Sequence, residues 1–370
     1  MGQHITHNAA YETVDRDAFP AMMEVDRYNR RSDAFDEIIS ATHEHFWDPL
    51  KKEYLDYDTP FDMVNETIMP MDLVPELSGA VKDRLDEGQQ IALANESTRW
   101  SLSSILHGEQ GALAVSAGLC HILLDPGAQE YASNQAREEA RHVTAYAKYI
   151  QVRWGTALPV GDGLGNLLNQ LALAPEVYKK LVGMQVLVEG LAMGSFAHIH
   201  RHTNDPLLKR LTQLVMTDEA FHHRFGKIWA DMTIPKLSEE EHTIVEQWAA
   251  ECFETLLFNL ANIRQRQTIY PKFGLDWEWV RDSVREVYTD RDAQKRKDLK
   301  DPSSVMRVLV KTLSNSGIIT DRTRPLYANW IDMDDLEQDD VMHIGDAIAA
   351  DGIEFLKTIN ADRRVIGQKF

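Results

Sequence analysis

The chain has 370 residues, 44% of them hydrophobic, enough for one large core or two modest ones. Its net charge of −19 argues against a nucleic-acid binder and would suit a basic electron-transfer partner. Two cysteines, Cys120 and Cys252, are too few for a disulfide framework or a four-thiolate metal site, which fits a reducing, cytoplasmic setting.

In chain order, "MGQHITHNAAYETVDRDAF" lacks the apolar core of a secretory signal, although Gly2 and Thr6 match the loose acylation pattern M-G-x-x-x-[ST]. Residues 1–35 read as irregular. Residues 75–124 read as one helix and 128–154 as a second, with a Gly- and Pro-containing connector at 155–166. Helices then cover about 167–202 and 207–232. A further amphipathic stretch runs over 237–270, where Leu237, Ser238 and Glu241 point to a capped start. Residues 318–370 read as less regular, and nothing in 270–370 carries a functional signature. The longest apolar run, 112–124, contains a histidine and falls short of the ~18 residues that span a bilayer, so no membrane partner is expected. Strand-like alternation is scarce. The expected class is all-α.

An internal repeat organises the middle of the chain. A shift of 80 residues places Glu109 on Glu189, Ala112 on Ala192 and Ala117 on Ala197. The same shift places Asp125-Pro126 on Asp205-Pro206, Glu138-Glu139-Ala140 on Asp218-Glu219-Ala220, and His142 on His222. Proline cannot continue a helix and disfavours helix in the residue before it, so each Asp-Pro pair marks a turn between two helices. Glu109 and Glu139 are 30 residues apart, as are Glu189 and Glu219, and each interval is centred beside an Asp-Pro pair. In an antiparallel hairpin the chain travels about 22 Å to the turn and about 22 Å back. Glu109 should therefore face Glu139 and His142, and Glu189 should face Glu219 and His222.

Four carboxylates and two imidazoles in the order Glu…Glu-x-x-His…Glu…Glu-x-x-His form the ligand set of a di-iron or di-manganese carboxylate centre in a ferritin-like four-helix bundle. Two divalent ions a few ångströms apart repel; bridging carboxylates offset that repulsion and keep the net charge low. Oxygen-rich ligation with single histidines suits iron or manganese, whereas structural zinc favours thiolates or more imidazoles. The acids before each motif glutamate, Glu138 and Asp218, are candidates to accept the second N–H of a ligating histidine, or else solvated acids on a helix face.

"EEARHVTAY" (138–146) and "DEAFHHRFG" (218–226) resemble the D/E-E-x-R-H and D-E-x-x-H motifs of the ferritin-like di-iron superfamily, over about residues 95–232. That superfamily includes ribonucleotide reductase small subunits, soluble acyl-carrier-protein desaturases, multicomponent monooxygenase hydroxylases and arylamine N-oxygenases. The resemblance implies a metal-binding core at about 90–232 within one domain, with a long crossover and flanking helical extensions at 1–89 and 233–370. It also implies two iron ions or a manganese–iron pair, dioxygen as co-substrate, a small organic substrate and a homodimer. No flavin or nicotinamide fingerprint is visible, so electrons would come from a separate ferredoxin or flavin reductase.

Other residues have plainer readings. His223 lies about 100° round the helix from His222 and is expected to be a surface or packing residue; His107, His198, His200 and His202 are read the same way. N-oxygenases of the superfamily use a third histidine one turn before a motif glutamate, and here that position is Val215. Tyr146 follows His142 by one turn and resembles the radical tyrosine of reductase small subunits; the simpler reading is a core aromatic. "HFWDPLKKEYLDYD" (45–58) resembles the F-W-x-P segment of those subunits, and Trp47 and Trp100 are read as packing residues. Gly111, Ala112, Gly190 and Ala192 pack the core beside the upstream glutamates and leave room for a ligand cavity.

Three functions follow as expectations. The first is a dimetal oxygenase or oxidase acting by hydroxylation, N-oxygenation or desaturation. The second is a radical-generating subunit; against it stand Glu109, where such subunits mostly use aspartate, and a final "RRVIGQKF" without tyrosine. The third is ferritin-like iron handling, for which the chain is about twice the minimal length.

Overall fold

A computed structural model describes residues 9–287, 305–328, 330–336 and 344–361; the Gly2–Thr6 acylation pattern and the final RRVIGQKF lie outside the described residues. Among the described residues the chain is helical, with no strand and one isolated bridge between Thr13 and Leu123. The longer helices are α1 (Asp36–Glu44), α2 (Glu87–Leu119), α3 (Pro126–Trp154), α4 (Asp162–Leu173), α5 (Val177–His202) and α6 (Pro206–Thr233). They are followed by α7 (Glu239–Ala261), α8 (Trp277–Val287), α9 (Val305–Asn315) and α10 (Ile344–Asn360).

Both Asp-Pro pairs begin a helix, as the repeat requires. The Asp125 carboxylate accepts from the Gly127 and Ala128 amides at 2.7 and 3.2 Å, and Asp205 accepts from the Leu207 amide at 2.9 Å. Proline follows each cap at the first helical position, where no N–H is needed. Ser238 caps α7 in the expected way, accepting from the Glu241 amide.

Four boundaries differ from the sequence reading. Residues 75–124 are not one helix: a 3₁₀ turn (Pro75–Leu77) and a short helix (Ala80–Arg84) precede α2, which restarts because Asp86 and Gln89 form a reciprocal capping box. The connector 155–166 already contains the start of α4, and Ala174-Pro175 separates α4 from α5. Beyond Ala261 the expected helix to 270 gives way to 3₁₀ turns. The supposedly irregular end contains α10, seventeen residues that pack on α6 and α5.

Helix α2 lies along α3, α5 lies along α6, and α3 packs against α6 to join the two hairpins. Ile68 fixes their relative direction. Its amide donates to Asn95 Oδ1 near the start of α2, and its carbonyl accepts from the Asn204 amide just past α5, both at 2.9 Å. The start of α2 and the end of α5 therefore meet, and the two helices run antiparallel.

Helix α5 is long and apolar enough to cross a membrane by length and composition, but most of that stretch is buried inside the protein and it carries Glu189. Its middle, Leu181–Val188, is π-helical. Such wider turns recur at functional sites. On α3 the buried apolar residues fall into two clusters, with Tyr131 and Ala132 in one and Ala145 and Tyr146 in the other. Glu139 and His142 lie between them, in a polar layer across the helices.

Candidate metal centre

The six residues picked out by the repeat converge in that layer. Glu109 on α2, Glu139 and His142 on α3, Glu189 on α5, and Glu219 and His222 on α6 are all buried, with Glu139, His142, Glu219 and His222 wholly inaccessible. They form two overlapping groups that could each hold a metal ion: Glu109, Glu139, His142 and Glu219, and Glu139, Glu189, Glu219 and His222.

The sharing of Glu139 and Glu219 is resolved oxygen by oxygen. His142 Nδ1 lies 3.2 Å from Glu109 Oε2, 3.3 Å from Glu139 Oε2 and 3.1 Å from Glu219 Oε1. His222 Nδ1 lies 3.0 Å from Glu139 Oε1 and 3.2 Å from Glu219 Oε2. Each middle carboxylate thus turns one oxygen towards each imidazole, the disposition of a bridging ligand. Donors held about 2.1 Å from one ion at right angles are about 3.0 Å apart, so these spacings, which are also hydrogen-bond distances, would fit around an ion with little movement. Glu109 Oε1, Glu139 Oε2 and Glu219 Oε1 are buried without a hydrogen-bond partner, a costly state for carboxylate oxygens that a cation would relieve. The donor set fits a pair of oxygen-preferring divalent ions.

The electrostatics agree. Burial pushes Glu109 well above the ordinary carboxylate range, and burial, with the Glu219 and Glu139 carboxylates beside it, does the same to Glu189. Burial opposes charge on both imidazoles, yet Glu109 beside His142, and Glu139 and Glu219 beside His222, hold both well above the usual histidine range. Burial also works against Glu139, but the two imidazoles prevail and keep it well below its ordinary value.

Glu138 and Asp218 are not solvated acids. His142 Nε2 lies 2.8 Å from Asp218 Oδ2, and His222 Nε2 lies 3.0 Å from Glu138 Oε2, so each hairpin supplies the acid behind the other hairpin's histidine. Burial would raise Asp218, but the Arg141 guanidinium paired with it holds its carboxyl down to about 2.

Trp47, expected to pack, also has a polar role. Its Nε1–H donates to Asp218 Oδ2 at 2.8 Å, and its ring stacks on His142 at 5.9 Å. The F-W-x-P resemblance was its only sequence signal. Sequence reasoning missed Gln135, one turn before Glu139: its Nε2 donates to Glu139 Oε1 and to Gln185 Oε1, both at 2.9 Å, with Glu189 Oε1 at 3.4 Å.

Trp100 packs as expected, its N–H donating to the Gln265 carbonyl at 3.1 Å. Among the other histidines, His107 meets the Leu158 carbonyl, His200 the Lys209 carbonyl, and His223 the Thr312 hydroxyl; His198 and His202 pack against each other with tilted rings. Tyr146 is fully buried against Phe196, and its hydroxyl has no hydrogen-bond partner among the described residues.

A cavity of about 900 Å³ adjoins the cluster, lined by Glu109, Glu189, Gly108, Ala112, Gly190 and Ala192 among other, mostly apolar groups. Three of the four small residues singled out in the sequence line it. Gly111 does not: a Cβ there would lie 2.6 Å from Leu168 Cδ2, so it allows α2 and α4 to approach.

Compared with known families and curated proteins, the chain matches no family model and no curated sequence.

Proposed function

We propose that this chain is a ferritin-like dimetal carboxylate oxidoreductase, with two iron ions or a manganese–iron pair, that uses dioxygen to oxidise a small organic substrate in the cavity beside Glu109 and Glu189. One observation carries the reading: two buried carboxylate–imidazole groups that share Glu139 and Glu219, and whose remaining carboxylates, Glu109 and Glu189, form part of the wall of a large, mostly apolar cavity. A storage site has no need of such a chamber.

In this reading Glu139 and Glu219, common to both groups, would be shared between the two ions, with Glu109 and His142 holding one and Glu189 and His222 the other. When bound and reduced, the metal pair would supply dioxygen binding and the electrons that reduce dioxygen. The chain does the rest. Asp218 and Glu138 fix the imidazole rings through their Nε2 atoms. The apolar walls hold the substrate body and exclude water, which strengthens every electrostatic contact inside. A separate ferredoxin or flavin reductase provides electrons; hydroxylation, N-oxygenation and desaturation are all within reach of this arrangement. The test is dioxygen uptake by anaerobically iron-loaded, reduced protein. Uptake in proportion to protein, absent in a Glu219→Ala/His222→Ala variant, is expected. A loaded protein that consumes none would overturn the oxidoreductase reading.

A radical-generating role is the second reading, favoured by Tyr146, whose buried hydroxyl lacks a partner, and by the Trp47–Asp218–His142 chain. A tyrosyl radical signal after dioxygen exposure, lost in Tyr146→Phe, would establish it. Full activity in Tyr146→Phe would remove its main support.

A further inference from the structure

The 80-residue repeat is broken beside the cluster. Gln135 on α3 corresponds to Val215 on α6, and Gln185 on α5 corresponds to Ile105 on α2. The polar pair therefore flanks only the Glu189–His222 half, and Val215 and Ile105 stand at the matching places of the other half. We propose that Gln135 makes the two halves unequal, so that the Glu109–His142 half takes a metal ion first and holds it more tightly; this rests on the dimetal reading.

The oxygens carry the argument. The three carboxylate oxygens without hydrogen-bond partners, Glu109 Oε1, Glu139 Oε2 and Glu219 Oε1, belong to Glu109 or face His142. Of these, Glu139 Oε2 and Glu219 Oε1 face only His142 Nδ1, at 3.3 and 3.1 Å. On the His222 side, Glu139 Oε1 already accepts from Gln135 Nε2 at 2.9 Å, and Glu189 Oε1 is 3.4 Å from the same nitrogen. The amide must present nitrogen, not oxygen, to carboxylates. An ion entering on either side displaces an imidazole contact, His142 Nδ1 with Glu109 or His222 Nδ1 with Glu219; on the His222 side it must also displace or weaken the Gln135 hydrogen bonds in a fully buried layer. Gln185 holds the amide in place by accepting from Gln135 Nε2 at 2.9 Å.

The imidazoles repeat the asymmetry. Asp218, behind His142, is fixed by Arg141 through both Nε and a terminal nitrogen, and by the Trp47 N–H. Glu138, behind His222, has Arg141 only at 3.5 Å. The His142 ring is the better anchored, so its half is the more preorganised for an ion.

The experiment is an anaerobic Mn(II) titration of the full chain, followed by calorimetry and by electron paramagnetic resonance of the bound ion. Two resolved steps are expected. At one equivalent, His222→Ala should keep the tight step and His142→Ala should lose it. Gln135→Leu should tighten the second step relative to the first by about ten- to hundredfold, the equivalent of one hydrogen bond to a charged group. Two indistinguishable steps, loss of the first step in His222→Ala, or an unchanged ratio in folded Gln135→Leu would each overturn the proposal while leaving the dimetal centre intact. The histidine pair decides the order of filling even where Gln135→Leu loses helicity. Protein that takes up no Mn(II) would remove the centre and the proposal together.

Discussion

His142 and Asp218 are 76 residues apart in sequence and 2.8 Å apart in the fold, an imidazole of one hairpin backed by an acid of the other. The acid is held from behind by Arg141 and Trp47, so the contact couples hairpin docking to the orientation of a candidate ligand.

Asp218→Asn keeps the shape and removes the charge. It should weaken Mn(II) binding at the tight step by about 10–100-fold, the usual consequence of losing a carboxylate behind a ligating histidine. It should also lower the unfolding temperature, because Arg141 is left buried without its main counter-charge. Calorimetric titration and thermal melts check both. Wild-type metal affinity would show that Asp218 does not orient His142.

Two glycines should respond in opposite ways to alanine. A Cβ on Gly108 meets nothing within 4 Å, so Gly108→Ala should stabilise α2 by up to about 1 kcal/mol through helix propensity. A Cβ on Gly226 would lie 2.8 Å from Gln185 Cβ and 3.1 Å from the Gln185 carbonyl carbon. Gly226→Ala forces α6 away from the π-helical part of α5 and should cost about 1–3 kcal/mol. Urea unfolding of both variants measures the difference, and equal shifts would contradict the packing described.

The ligand set was legible because it obeys simple spacing. Glu139 and His142 share a helix face, Glu109 sits one hairpin travel away, and the repeat says so twice. The Asp-Pro turns were legible for the same local reason. What escaped is long-range or chemically quiet. Trp47 reaches Asp218 across 171 residues, and no periodicity links an N-terminal loop to the core. Gln135 is an ordinary helix residue until Glu139, Gln185 and Glu189 surround it. Gly111 looked like a cavity residue, but its neighbour Leu168 comes from α4, whose start falls in the expected connector. Helix α10 was missed because its apolar face is defined by α5 and α6, not by strong signals at its ends.

Lys180 gives a pH signature away from the metal cluster. It is buried, and its Nζ donates to the Leu171 and Ala172 carbonyls at 2.9 and 2.7 Å. Burial, with Arg16 nearby, depresses its pKa from 10.5 to about 8. Between those values the unfolded chain binds a proton that the folded chain does not, so this group makes stability rise with pH across that window. Below it, the cost of burying the charge is fully present. The stability of wild type relative to Lys180→Met should therefore increase from about pH 8 to 10.5 in urea titrations. A constant difference would mean that Lys180 is solvated in the folded protein.

The most direct measurement is the metal content of protein expressed with iron and manganese, for wild type and for Glu219→Ala/His222→Ala. The account predicts about two ions per chain in wild type, and their loss in the double variant, because Glu219 serves both positions. Wild-type protein without bound transition metal after reconstitution under reducing conditions would contradict it, and the buried carboxylate–imidazole layer would then be a proton-sharing core and not a metal centre.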